Sequence, residues 1–217
     1  MAGSTRDRLI DAAARTLAEH GMAATSARAI GSRAGVNPAL IYYHFDSLVG
    51  LLVETSRHLT QQRALTYQQR LAPVRSLSEL AAVARGLHQE EHASGNLSVL
   101  AQLLAGSRTH PELATALNDN FDLLANEVAS TLERLLTDSA LAGLLDTDQV
   151  ARAVSAGFIG IELLDTISAG DDAALFDTLD TITALVDAVL DAGTIPTALI
   201  RRRIRTGGPT SPQVGLG

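Results

Sequence analysis

Three tyrosines and four phenylalanines are the only aromatic residues of this 217-residue chain, and Tyr42, Tyr43 and Phe45 stand within four positions, with His44 between them. A tyrosine hydroxyl donates to a phosphate while its ring lies on a sugar or a thymine methyl. His44 is a further donor. Arg28, just upstream, has the fork for a guanine edge or a phosphate. Thr25 and Ser26, with the free amides of a helix first turn, can hold another phosphate. A second group is His88 and His92, an i, i+4 pair with Glu91 between them. That spacing suits a metal, but no third ligand stands nearby, so a solvated helix end is expected and no metal or cofactor is assigned. The chain has no cysteine, which removes disulfides, thiolate metal sites and cysteine nucleophiles. It also has no G-x-S-x-G elbow, phosphate-binding glycine loop or zinc-hydrolase motif. A binding protein is expected rather than an enzyme.

The elements that must carry these residues are helices. Hydrophobic residues make up 46% of the chain and charged ones 19%, and alanine and leucine dominate. No segment alternates apolar and polar residues long enough for a strand. The N-terminus has charges of both signs and no apolar run, so it is not read as a signal peptide. The most apolar window, 150–167, contains Arg152, Glu162 and Asp165 and is not read as a membrane span. A cytoplasmic protein is expected.

Net charge is −7 but uneven. Arg6, Arg8, Arg15, Arg28 and Arg33 against Asp7, Asp11, Glu19 and Asp46 leave residues 1–46 at +1, whereas residues 146–192 stand at −9. Arg201, Arg202, Arg203 and Arg205 make the tail basic. An acidic polymer would therefore meet the N-terminal end, helped by the tail.

Caps and breaks divide the chain into about nine helices. The first spans 5–20, with Ser4 as cap and Gly21 as stop. The second spans 27–34, capped by Thr25 or Ser26. Asn37 caps a third helix, with Pro38 at its first position, ending near 44 or 45. Further helices are expected at 48–69, 77–92 (opened by a Ser76–Glu79 capping box), 97–106, 111–136, 147–168 (opened by Asp146 and Gln149) and 172–192. A short helix at 198–205 lies within an otherwise frayed tail.

Two short helices around a glycine-containing turn make a helix-turn-helix pattern. Ile30, Ala34, Val36, Ile41 and Phe45 have the spacing to pack on Leu9, Ala13 and Leu17. Pro38, Ala39, Leu40, Tyr42, Tyr43 and His44 are then left facing mostly outward.

Residues 5–51 resemble the DNA-binding domain of the TetR (tetracycline repressor) family of bacterial transcriptional regulators. The resemblance rests on His20-Gly21, Thr25-Ser26, Ile30, Ala34-Gly35-Val36, Ile41-Tyr42-Tyr43-His44-Phe45, Ser47 and Leu51, in that order. It implies that Arg28 and Tyr42 touch bases or backbone and that Tyr43 and His44 touch phosphates. It also implies that Ala39 and Leu40 lie on the base-facing side. With Thr25, Ser26 and Asn37 these form the expected DNA-binding set. The family usually carries lysine after the serine, where this chain has Leu48, so one phosphate contact is missing.

In the last expected helix Leu175, Leu179, Ile182, Val186 and Val189 step by 4, 3, 4 and 3, a heptad seam. The preceding helix carries small residues, Ala153, Gly157 and Gly160, beside Ile161 and Leu164. Two such helices per subunit would form an intermolecular four-helix bundle. The resemblance also implies dimerisation through the last two long helices and an effector pocket among the middle ones. Its candidate walls are His88, Glu91, Gln102, Asn118, Phe121, Phe158 and Glu162.

The expected organisation is therefore all-α. Residues 1–48 form a three-helix DNA-binding domain, 49–193 a larger helical bundle for effector binding and dimerisation, and 194–217 a flexible basic tail. The expected function is a homodimeric repressor on a palindromic double-stranded operator, released by a small-molecule effector. A helical small-molecule or metal-binding protein without an operator, and an enzyme using Glu162, are the alternatives.

Overall fold

The computed structural model describes residues 4–94, 96–139, 141–165 and 172–191. Among them the chain is helical with no strand: α1 (Thr5–Ala24), α2 (Ala27–Ala34), α3 (Ala39–Phe45), α4 (Leu48–Leu71), α5 (Leu77–Ser94), α6 (Asn96–Ser107), α7 (Pro111–Leu136), α8 (Thr147–Asp165) and α9 (Asp172–Asp191). The expected helix at 198–205 and the tail lie outside the described residues.

Local chemistry accounts for most helix starts. Ser4 and Asp7 form a reciprocal capping box at α1, and the hydrogen bonds from Ser4 hold the Asp7 carboxyl below its usual range. Ser47 accepts from the Gly50 amide at 2.8 Å to open α4, and Asp146 accepts from the Gln149 amide at 3.1 Å to open α8. The first helix differs from expectation. Gly21 does not end it but kinks it, at φ 71° and ψ 177°, and the helix resumes to Ala24. Only glycine takes that conformation cheaply. Pro38 has helical φ −54° and ψ −24° at the start of α3, behind the capping side chain of Asn37.

Three apolar clusters hold the helices together. Leu9, Ile10, Ala13, Ile30, Ile41, Phe45 and Leu51 join α1 to α4. Leu17, Leu52, Val99, Leu103 and Leu113 join α1 and α4 to α6 and α7. Tyr67, Leu71, Leu87, Val128, Leu132 and Ala151 join the far half of α4 to α5, α7 and α8. Each fully buried leucine or isoleucine contributes roughly 1.5–3 kcal/mol. Helix α4 enters all three clusters, and its 24 residues span about 36 Å at 1.5 Å each. It is the strut between the short N-terminal helices and the rest of the bundle.

Candidate nucleic-acid interface

Helix α3 is short, so its orientation has to be set by what surrounds it. Asn37 Oδ1 accepts from the Ala39 amide at 2.9 Å and opens the helix. Gly35, left-handed at φ 64°, closes α2 through amide bonds to the Gly31 and Ser32 carbonyls. Gly31 packs so tightly on Pro38 that an added Cβ would lie 2.9 Å from Pro38 Cγ and 3.0 Å from its Cα. Arg8 donates to the carbonyls of Ala34 and Gly35 and clamps the turn from α1. Ile41 and Phe45 anchor the inner face, at 0% and 6% exposure.

What remains outside is Tyr42, 55% exposed, and Tyr43, 80% exposed. Ala39 is also exposed and His44 is half-buried, its ring edge-on to Tyr43. Leu40 differs from the expected outward position. It is half-buried and packs against the first cluster, because it flanks the inward Ile41 on a short helix. Pro38 is likewise half-buried, over Gly31.

At the start of α2, Ser26 accepts from the Ala29 amide at 3.2 Å, and the Thr25 hydroxyl donates to the Gly21 carbonyl at 2.8 Å. Arg28 is exposed. The neighbouring arginines are largely engaged. Arg6 pairs with Glu54 and stacks over Phe45, Arg33 pairs with Glu19, and Arg8 holds the turn. Among the described residues Arg15 and Arg28 make no ion pair, which leaves them free to meet an anion.

The expected effector residues are spread over α5, α6, α7 and α8. Glu91 lines a cavity of about 250 Å³ between α4 and α5, and the other candidates are not among its walls. His88 is buried with its ring 4.9 Å from Phe176 of α9. Gln102 Oε1 accepts from the Met22 amide at 2.8 Å, filling the kink after Gly21. Asn118 is exposed and donates to Asp122 at 3.3 Å. Phe121 lies under Arg152, and Phe158 packs on the third cluster. The side chains of Glu162 and His92 lie outside the described ones. Sequence reasoning missed Arg63, which sits in the cavity wall. The signal was the i, i+4 row Leu59, Arg63, Tyr67, Leu71, an arginine in an otherwise inward stripe.

On α8 and α9 many apolar side chains face solvent. Leu164, Leu175, Leu179 and Ile182 are 50%, 44%, 37% and 51% exposed. Ala153 is exposed, Ile161 and Val186 are half-buried, and the Val189 side chain lies outside the described ones. An added Cβ at Gly157 or Gly160 would meet nothing within 4 Å.

These features define a helix-turn-helix unit carried on a helical bundle. Residues 9–55 match the family model of bacterial regulatory proteins, tetR family. A protein from Mesorhizobium loti assigned to the TetR-family transcriptional regulators superposes with a TM-score of 0.71 at 19% identity, over 85% of this chain and 96% of that one. GusR from Salmonella enterica gives 0.65 at 18%, over 85% and 95%. The transcriptional regulator FadR from Bacillus subtilis, solved in complex with stearoyl-CoA, gives 0.68 at 19%, over 82% and 96%. No match is found among curated proteins. The fold is that of the TetR-family transcriptional regulators, and the resemblance in the sequence stands on residues 9–55. Among the described residues no helix is long and apolar enough to cross a membrane.

Proposed function

We propose that this protein is a cytoplasmic, homodimeric transcriptional repressor that binds a palindromic operator through α3 and is released by a small-molecule effector. The observation that carries the reading is Tyr42 and Tyr43, two large exposed rings on a helix whose other face is locked into a core. Residues 1–48 act as the DNA-binding domain. Tyr42, Tyr43 and His44 serve as phosphate and sugar contacts, Arg28 as a base or phosphate contact, Ser26 and Asn37 as caps whose helices' first-turn amides approach the backbone, and Thr25 as a neighbouring backbone contact. Ala39 and the exposed part of Leu40 face base edges.

Residues 49–193 supply the dimer and the effector site. Exposed leucines on α8 and α9, and open space above Gly157 and Gly160, support a partner's helices packing there. Pairing presents two recognition helices to successive major grooves about 34 Å apart. An effector among α4 to α6 shifts the population to a dimer whose helices no longer match that spacing, and a coupling of roughly 1–3 kcal/mol relieves repression. The basic tail, 194–217, adds non-specific attraction to DNA.

The test is binding to palindromes selected from random duplexes. Affinity should fall steeply with salt, and Tyr42→Ala or Arg28→Ala should each weaken it by roughly tenfold or more. Equal binding to scrambled duplex, with neither substitution mattering, rejects the regulator.

A further inference from the structure

Resting on the reading that the cavity between α4 and α5 is the effector site, we infer that its ligand is a small molecule with a single carboxylate, seized by the fork of Arg63. Arg63 is half-buried, its side chain 13% exposed, with Nε out of contact with solvent. Its Nε lies 2.8 Å from Glu91 Oε1, an ion-pair contact without hydrogen-bond alignment. Among the described residues it makes no other polar contact. A guanidinium carries five N–H donors, and Nε is held out of water without an aligned partner, which leaves the terminal nitrogens to take a ligand. Here they border a cavity of about 250 Å³.

Charge and shape choose the occupant. Glu91 compensates Arg63, and Glu90 beside it is paired with Arg70. A phosphate would bring nearly two charges to one guanidinium flanked by these acids. A cation would meet Arg63. A carboxylate brings one charge and matches the planar fork bidentately, while Glu91 on Nε holds the fork in orientation. The cavity has the volume of roughly eight waters at about 30 Å³ each, below the range of drug-sized sites. Among the described residues its walls hold no aromatic ring. Leu59 and Leu87 suit a short aliphatic body, and Gln62 and Thr66 suit a hydroxyl on it.

The experiment is calorimetric titration of the full-length protein, without DNA, against butyrate, lactate and hexanoate and against their amides. Acids should bind at least about tenfold more tightly than the amides, and Arg63→Lys, which keeps charge and loses the fork, should weaken them about tenfold. Arg63→Gln alone would take the counter-charge from Glu91, so the decisive variant is Arg63→Gln with Glu91→Gln, its folding checked by circular dichroism. It should lose acid binding. Amides binding as well as acids, or the folded double variant retaining the acids, overturns the assignment. Operator binding is measured separately. Protein that binds operator but no acid refutes the carboxylate and leaves the regulator standing. Protein that binds acid but no operator refutes the regulator and leaves the Arg63 site standing.

Discussion

Ile41 leaves none of its surface in solvent and Tyr43 leaves 80%, two positions apart on one helix. The contrast separates the side chain that holds the fold from the one proposed to meet DNA. Tyr43→Phe removes only a hydroxyl that makes no hydrogen bond among the described residues. A hydrogen bond to a charged acceptor contributes about 1.5–3 kcal/mol, so operator affinity should fall roughly ten- to hundredfold while stability stays within about 0.5 kcal/mol. Fluorescence anisotropy and urea melts on the same sample decide it. Unchanged anisotropy would remove Tyr43 from the phosphate contacts. Ile41→Ala should instead cost about 2–5 kcal/mol and lose DNA binding through unfolding of the head. The inward and outward positions of Ile41, Phe45, Tyr42 and Tyr43 were legible because helical period alone fixes them. Leu40 was not, since its burial depends on how α3 tilts over α1 and α2. Arg63 was hidden by a sound general rule, that arginines face water.

At the scale of elements, α9 grips α5 at several points. Asp187 accepts from the Leu77 and Ser78 amides at 3.0 and 2.8 Å, capping α5 from 110 residues away. Arg85 reaches Asp177 and Asp180, and Phe176 packs under Arg85 and His88. The local half of the α5 start was legible: Ser76 accepts from the Glu79 amide at 3.1 Å. The Glu79 carboxylate, however, accepts from the Arg75 amide at 2.7 Å, and the first-turn amides go to Asp187. No local pattern could announce a cap from a distant helix. Burial pushes the Asp187 carboxyl up, but the hydrogen bonds from Ser78 and Leu77 outweigh it and hold the group below its usual range. Its contribution is therefore present above the unfolded value near 3.9 and lost as pH falls through the lower folded value. Asp187→Ala should cost about 1 kcal/mol at neutral pH, and the gap to wild type should narrow below about pH 4. Chemical denaturation at both pH values measures the gap, and a gap that stays constant into acid would mean the charge is irrelevant.

For the whole molecule, the question is why so much apolar surface stays outside. Leu164 on α8 and Leu175, Leu179, Ile182 and Leu185 on α9 are all at least 37% exposed, whereas single scattered leucines would need no explanation. The row of Leu175, Leu179 and Ile182 was legible in the sequence from its steps of 4 and 3. Its separation from Phe176, which turns into α5, was not, because the two rows differ only in which neighbour covers them. In the proposed dimer a second copy of the chain would cover the exposed row and double the proposed reading head, since one short helix-turn-helix makes few contacts. Leu179→Glu with Ile182→Glu should therefore leave the single chain folded, as both side chains already face solvent, and yield monomers by light scattering. Those monomers should retain half-site binding and lose at least about a hundredfold in affinity for the full palindrome, whose two half-sites only a dimer spans at about 34 Å. A variant that remains dimeric would place the interface on another face. Monomers that bind the full palindrome undiminished would sever dimerisation from operator recognition.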